Sequence, residues 1–252
     1  MNLRKWYKIK RFIPDLVYTP LLDTYYFLRS FPYKGNRVYC ACCEKEYDRF
    51  YPDNSPFGEC PGCGSSARHR LISLYLQRET GFFNKKLKVL HIAPEHSTYK
   101  RFKRLKNIDY IIADLGSARA QIKMDITDIP FENDTFDVIL SSHVLEHIED
   151  DIKAMKELYR VQKPEGWSIH QVPIDKSREQ TYEDKNIVTP DQREKIYGHH
   201  DHKRIYGLDY TNRLERAGFK VKCDNFSGTL SDSELLKYGI DPGEIIYLCL
   251  KE

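Results

Sequence analysis

The sequence predicts an α/β fold, a mostly parallel sheet with an antiparallel pair at one edge, preceded by a small cysteine-rich unit. Three observations carry this. Short apolar runs end abruptly in polar residues, as Val138–Leu140 runs into Ser141, Ser142, His143, Glu146 and His147. Such a run suits a buried parallel strand whose polar end lies at the carboxyl edge of the sheet, where open α/β sheets bind ligands. These runs alternate with segments of helical period, which implies right-handed crossovers. Five cysteines crowd residues 40–63, ahead of the first such run.

The 252 residues admit one large or two small domains and a sizeable core. A net charge of +3 argues against a large nucleic-acid footprint. The charge is uneven, however: Arg4, Lys5, Lys8, Lys10 and Arg11 precede the first acid, Asp15, and alternate with Trp6, Tyr7 and Phe12. Pro14, Asp15, Pro20 and Asp23 interrupt the stretch from Phe12 to Leu28, so no export-signal core forms there. No run of roughly 20 apolar residues exists to cross a bilayer. Residues 1–36 read as a basic, aromatic arm, either lying on an anionic membrane surface or packed on the protein itself. The expected location is cytoplasmic, with peripheral contact to the inner membrane face as an option.

Cys40, Cys43, Cys60 and Cys63 form two Cys-x-x-Cys pairs separated by residues 44–59. Two thiolates three residues apart on a turn can share a tetrahedral ion, and a second turn supplies the other pair. The spacing predicts a structural zinc ribbon over residues 37–66, with Tyr47, Phe50, Tyr51 and Phe57 as its small core. Cys42 is left over and competes with Cys43. Disulfides are the rival reading, without an export signal to support them.

The remaining elements follow in order. Ala67–Glu79 reads as a helix ended by Gly81, expected to pack on the sheet's edge, with Arg68, His69 and Arg70 at its start. Basic residues there oppose the helix dipole and call for an anionic neighbour. Lys88–Ala93 is the first strand, leading to a helix over 98–106. Residues 109–114 and 121–125 are the second and third strands, ending in Asp114 and Asp125. The run after Phe136 is the fourth, and Ile152, Met155, Leu158 and Tyr159 mark the helix behind it. Trp167–Val172 is the fifth strand and 208–217 a helix stopped by Gly218. Strands at 219–226 and 245–250 form the antiparallel edge pair, with no helix expected between them.

An acid ending the strand after the first, as Asp114 does, can accept hydrogen bonds from both hydroxyls of a ribose. Asp125 is placed to accept from an adenine amino group. Either acid can instead be a turn or helix cap.

The segments Val89–Ser97, Asp114, Met124–Phe131, Phe136–His147 and Glu157–Trp167 resemble, in order and spacing, successive motifs of the class I S-adenosylmethionine-dependent methyltransferases. The resemblance covers residues 85–252, so the domain boundaries read 1–36, 37–66 and 67–252. The cysteine ribbon and Arg68-His69-Arg70 resemble a bacterial subgroup with an N-terminal zinc ribbon. The resemblance implies a Rossmann-like sheet and S-adenosylmethionine as cofactor. It implies that Asp114 binds the ribose and that Asp125 and the Ile126 N–H meet the adenine. Ser142 and His143 would contact the cofactor, with His143 facing the methyl-transfer site, and His91, Ala93 and Glu95 would belong to the loop around the methionine end. That loop departs from the family pattern Asp-x-Gly-x-Gly-x-Gly: His91 stands in the acid's place, and Ala93, Glu95 and Ser97 stand in the glycines'.

Methyl transfer from a sulfonium chiefly needs alignment, with a base added for oxygen or nitrogen acceptors. His143 is the best placed base, while Glu146 and His147 are expected to turn away on the next helix. The polar segment 173–207 suits an acceptor loop. Within it, His202, Arg204 and Tyr206 are candidate acceptor contacts, and the histidines of 199–202 with Asp201 are a candidate second metal site or a solvated loop. The acceptor is a small molecule or a glycan- or lipid-linked envelope precursor. A nicotinamide oxidoreductase is the first rival, but it lacks Gly-x-Gly-x-x-Gly. A zinc-ribbon binding protein on a degenerate scaffold is the second.

Overall fold

A computed structural model describes residues 14–52 and 55–252. The basic and aromatic residues Arg4, Lys5, Trp6, Tyr7, Lys8, Lys10, Arg11 and Phe12 lie outside the described residues. From Asp15 onward the expected arm is a helix, α1 (Asp15–Ser30). The ribbon follows, built on the hairpin β1 (Val38–Cys40) and β2 (Lys45–Tyr47). Then come α2 (Ala67–Arg78), β3 (Leu87–Ile92), α3 (His96–Phe102), β4 (Ile108–Ala113), β5 (Phe136–Ser142), α4 (Asp151–Val161) and β6 (Gln162–Gln171). The chain ends through α5 (Pro190–Tyr197), α6 (Tyr210–Arg216), β7 (Lys220–Asp224), α7 (Asp232–Tyr238) and β8 (Ile246–Leu250).

The large sheet has the order β4-β3-β5-β6-β8-β7. β4, β3, β5 and β6 are parallel, while β8 runs antiparallel to both β6 and β7. The Rossmann-like sheet and its antiparallel edge are therefore as expected. Alternate side chains feed two cores, as the strand period requires. Leu90, Ile92 and Ile139 face Met155, Leu158 and Leu214 of α4 and α6. Val89, Val138, Leu140 and Ile169 face Leu71, Leu74 and Tyr75 of α2. Helix α2 thus covers a face of the sheet, not its edge.

Two further expectations are corrected. Residues 121–125 form no strand: only Ile122 bridges to Ala113, and the Gln121 side chain takes the Ile112 N–H. Helix α7 does lie between the last two strands. Ser231 and Glu234 cap it reciprocally, and left-handed Gly239 ends it.

The ribbon is fixed to the sheet by charge. Arg70 is fully buried and donates to the carbonyls of Phe57, Gly58, Ser65, Tyr238 and Gly239, while its guanidinium lies 3.9 Å from the Phe50 ring centroid. Helix α1 docks by its polar side. Asp15 meets Arg119 at 2.8 Å, Asp23 meets His96 at 2.9 Å and Lys100 at 2.7 Å, and Arg29 donates to Glu59 and to the carbonyls of Cys60 and Pro61. Its apolar side points outward, with Leu16 at 87% exposure and Leu21, Phe27 and Leu28 near 60%. Replacing Arg70 by Ala strands five buried carbonyls and is expected to cost about 3 kcal/mol or more, read as a lowered urea midpoint.

Candidate functional site

The strand order turns about β3: its neighbour β4 lies on one side, and β5 with the remaining strands on the other. A crevice therefore opens at the carboxyl ends of β3 and β5. Ala93 begins the loop after β3 with φ +47°, the left-handed region that favours glycine. It stands where the family pattern has glycine, and its N–H donates to Ala113 at 2.8 Å.

The other residues of that loop behave differently from the expectation. The His91 ring turns into the core, bonded to Tyr110 Oη at 2.9 Å and packed beside Phe102, so it does not stand in for the family's acid. Glu95 meets His69 Nε2 at 2.7 Å and Arg68 at 3.9 Å. It is the anionic neighbour that the start of α2 called for. Burial alone would raise the Glu95 carboxyl, but His69 and Arg68 hold it well below the usual carboxylate range.

Asp114 and Asp125 share one arrangement. Asp114 Oδ1 accepts from the N–H groups of Gly116 and Ser117, at 2.7 and 2.8 Å. Asp125 Oδ1 accepts from the Thr127 N–H and hydroxyl, at 2.8 and 2.9 Å. In both, one oxygen is used to fix the local turn, and Oδ2 accepts no hydrogen bond among the described residues. Met124 and Ile126 are buried on either side of Asp125 and hold its backbone in place.

At the end of β5, His143 is also left-handed, at φ +55°, and its N–H donates to Gln171 at 2.8 Å. The buried Ser142 Oγ and Gln171 Oε1 have no partner among the described residues. Buried polar atoms without partners at the crevice fit a site for a polar ligand. Glu146 and His147 do not turn away on a helix as expected. They occupy a one-turn 3-10 helix, Leu145–His147, that faces back. Glu146 is fully buried, with Oε1 3.1 Å from His143 Nδ1. His147 gathers with His199 and His202, one ring nitrogen of each lying within 4.8 Å of the others.

Arg204 and Tyr206 are not free for an acceptor. Arg204 is 2% exposed and donates to the carbonyls of Leu145, Ile148 and Glu149 and to Glu183. Tyr206 is fully buried and donates to Asp151, which Arg213 also clamps with two hydrogen bonds. Both side chains fix the loop that carries His199 and His202. Nothing in the local sequence separates this duty from acceptor recognition, because it depends on where the 145–149 turn lies.

In the ribbon, Cys40, Cys43, Cys60 and Cys63 converge, with ligand atoms all within 4.8 Å. Cys40 and Cys63 sulfurs are 3.6 Å apart, as are those of Cys43 and Cys60. That is far beyond a disulfide bond of about 2.05 Å and close to the edge of a tetrahedral four-thiolate site built on bonds of about 2.3 Å. Cys42 points elsewhere, to Ser73 Oγ at 3.2 Å, so it does not compete with Cys43. Burial pushes the Cys60 and Cys63 thiols up, so a cation is needed to hold four thiolates, three of them buried, together. An apolar cleft of about 700 Å³ lies between residues 49–52 and 55–58 on one side and α7 on the other.

Residues 61–170 match a family model described as a methyltransferase domain. A stretch of 42 residues is 48% identical to the demethylmenaquinone methyltransferase of Streptomyces avermitilis, covering 17% of this chain and 18% of that protein's length. Two solved structures share the fold. One is a chain of the complex between the Haloferax volcanii Trm112 methyltransferase activator and a methyltransferase, with TM-score 0.50, 14% identity and coverage of 71% and 88%. The other is the [4+2]-cyclase SpnF, with TM-score 0.51, 14% identity and coverage of 92% and 90%.

Burial lowers three histidines around the crevice from the ordinary 6.5: His91 to about 4, His96 to about 4 with Arg119 adding to the shift, and His170 to about 3. Each is neutral when folded and takes up a proton on unfolding in acid. Their contribution to stability is therefore complete above pH 6.5 and is lost as pH falls from 6.5 toward 4, at about 1.4 kcal/mol per pH unit for each ring. Thermal melts should be flat from pH 7 to 8 and drop steeply below pH 6.

Proposed function

We propose that the chain, whose residues 61–170 match a methyltransferase-domain model, is a class I S-adenosylmethionine-dependent methyltransferase and that it transfers the methyl group to an acceptor of the envelope glycan or lipid-linked precursor class. The observation that carries the cofactor assignment is the pair Asp114 and Asp125. Each is oriented by its own turn through Oδ1, with Oδ2 left to accept. In this reading Asp114 accepts from the ribose hydroxyls, and Asp125 with the Ile126 N–H meets the adenine. The backbone at Ala93 admits the methionine end, and Ser142 offers its unpartnered hydroxyl. When bound, the cofactor supplies an electrophilic methyl on a sulfonium, already provided with a good leaving group. His143 then holds and removes the acceptor's proton, supported by Glu146.

Titration calorimetry on the wild type is expected to show micromolar binding of S-adenosylmethionine, lost in Asp114→Ala. His143→Ala should keep that binding and lower kcat by about 10²-fold. Absence of binding by the folded wild type would favour the degenerate-scaffold reading. Binding without methyl transfer to any acceptor would favour another use of the fold, since a cyclase shares it.

The four ribbon cysteines would hold a structural zinc, since their sulfur spacing and burial suit a closed site with no open position. Metal analysis of chelator-free protein should find this zinc, and Cys60→Ser/Cys63→Ser should lose it together with thermal stability.

The acceptor class rests on α1. Its apolar face is turned outward, and five basic residues precede it in the sequence, a combination that suits an anionic bilayer surface. No described helix is long and apolar enough to cross a membrane. Co-sedimentation with vesicles containing phosphatidylglycerol is expected, and Leu16→Asp/Leu21→Asp/Leu28→Asp should abolish it without changing the melting temperature. Wild-type protein that stays in the supernatant would remove the membrane-borne acceptor.

A further inference from the structure

The geometry points to a second metal site, made by His147, His199 and His202, that takes a divalent transition ion of the zinc type at the turn following His143. The three rings come from two separate segments, the turn after β5 and the loop after α5, and one nitrogen from each lies within 4.8 Å of the others. A tetrahedral ion with bonds of about 2.1 Å needs nitrogens about 3.4 Å apart, which rotation of the imidazoles can reach. Ring centroids are already 4.7 Å apart for His147 and His202, and 4.9 Å apart for His199 and His202.

Two features separate this cluster from a solvated histidine loop. The first is its outer support. Asp201 is hydrogen-bonded to His199 Nδ1 and lies 3.0 Å from His147 Nδ1. A carboxylate on one ring nitrogen fixes the tautomer and leaves the other nitrogen as a ligand. Behind it, Arg204 binds the carbonyls of Leu145, Ile148 and Glu149, and the Lys203 N–H binds the Glu146 carbonyl at 2.8 Å. These bonds fix the His199–His202 loop against the turn that carries His147, so the site is held on both sides.

The second feature is Glu146. Its carboxylate is fully buried, and neither oxygen accepts a well-directed hydrogen bond. A fully buried carboxylate on the residue before His147, with the His143 imidazole 3.1 Å away as its charge partner, favours a cation on this turn.

Three imidazoles leave a tetrahedral ion one position for an acceptor oxygen, and imidazole ligands suit zinc over magnesium or calcium. The acceptor is then a hydroxyl compound. Its O–H gives the proton to His143, its oxygen takes the methyl, and the carbon–sulfur electron pair stays on sulfur. This consequence rests on the methyltransferase reading, while the metal assignment does not.

The test counts metal on the full-length chain, saturated with Zn²⁺ and desalted. Two zinc ions per chain are expected for the wild type, one in the ribbon and one here, and one for His199→Ala/His202→Ala. After loading with Co²⁺, the double variant should keep the thiolate-to-cobalt charge-transfer band of the ribbon, which shows that it is folded. One zinc in the wild type, or two in the double variant, overturns the assignment. His200→Ala should keep two; if it loses one while His202→Ala keeps both, the ion belongs to the exposed His199–His200–Asp201 group and the assignment fails. Methyl transfer assayed on the same preparations separates the two readings. An inactive protein with two zinc ions counts against the function alone, and an active protein with one counts against the second metal site alone.

Discussion

Arg70 is the constraint on which the arrangement of the two units depends. A guanidinium taken fully out of water costs several kcal/mol unless its donors are satisfied. Here they are satisfied by carbonyls drawn from three places: the ribbon loop at Phe57 and Gly58, the ribbon's exit at Ser65, and the end of α7 at Tyr238 and Gly239. The last carbonyls of a helix lack partners within it and favour a positive charge. One side chain therefore closes the ribbon, caps α7 and sets the start of α2. Shifting any of the three segments would strand part of the guanidinium.

From Arg70 the constraint passes toward the crevice. His69, the preceding residue, caps α2 through its Nδ1 contact with Ser66 and reaches Glu95 with Nε2. Glu95 stands in the loop after β3 that begins with Ala93. The ribbon is thus coupled to the site through two adjacent side chains at the start of one helix. Arg29 of α1 grips the ribbon's second turn, and the same helix holds His96 and Arg119 through Asp23 and Asp15. With its charges used for docking, α1 leaves its apolar side to the outside. That inversion is unusual for a surface helix, which ordinarily buries its apolar stripe.

The centre of the sheet was legible in the sequence because β3 and β5 are largely buried on both faces, and such strands read as continuous apolar runs. The four-cysteine cluster was legible from spacing, and the turn at Asp114 from an acid at a strand end, whereas Asp125 follows no strand. Helix α1 was obscured because Asp15, Pro20 and Asp23 read as interruptions, although Asp15 and Asp23 are the residues that dock it. Helix α7 carried a readable signal, Ser231 and Glu234 at capping-box spacing with Gly239 behind, in a segment too short for a clear period. The duties of Glu146, Arg204 and Tyr206 were not legible. An arginine followed two residues later by a tyrosine has the same local appearance whether it meets a ligand or a distant turn, and only tertiary placement separates the cases.

Two left-handed residues at the strand ends show how the crevice is kept in shape. A β-carbon in that conformation costs about 1–2 kcal/mol, and Ala93 and His143 both carry one at the ends of β3 and β5. Each is held by a hydrogen bond to the neighbouring strand, Ala93 to Ala113 and His143 to Gln171. These bonds tie the end of β3 to β4 and the end of β5 to β6. Strain of this kind persists only where the surroundings over-determine it, and buried strands on both sides do so here. At Ala93 a glycine would relieve the strain and loosen the loop. At His143 no such exchange is open, because the imidazole that faces Glu146 is the reason for the residue. The chain accepts the strained backbone there to aim one side chain from the end of a central strand.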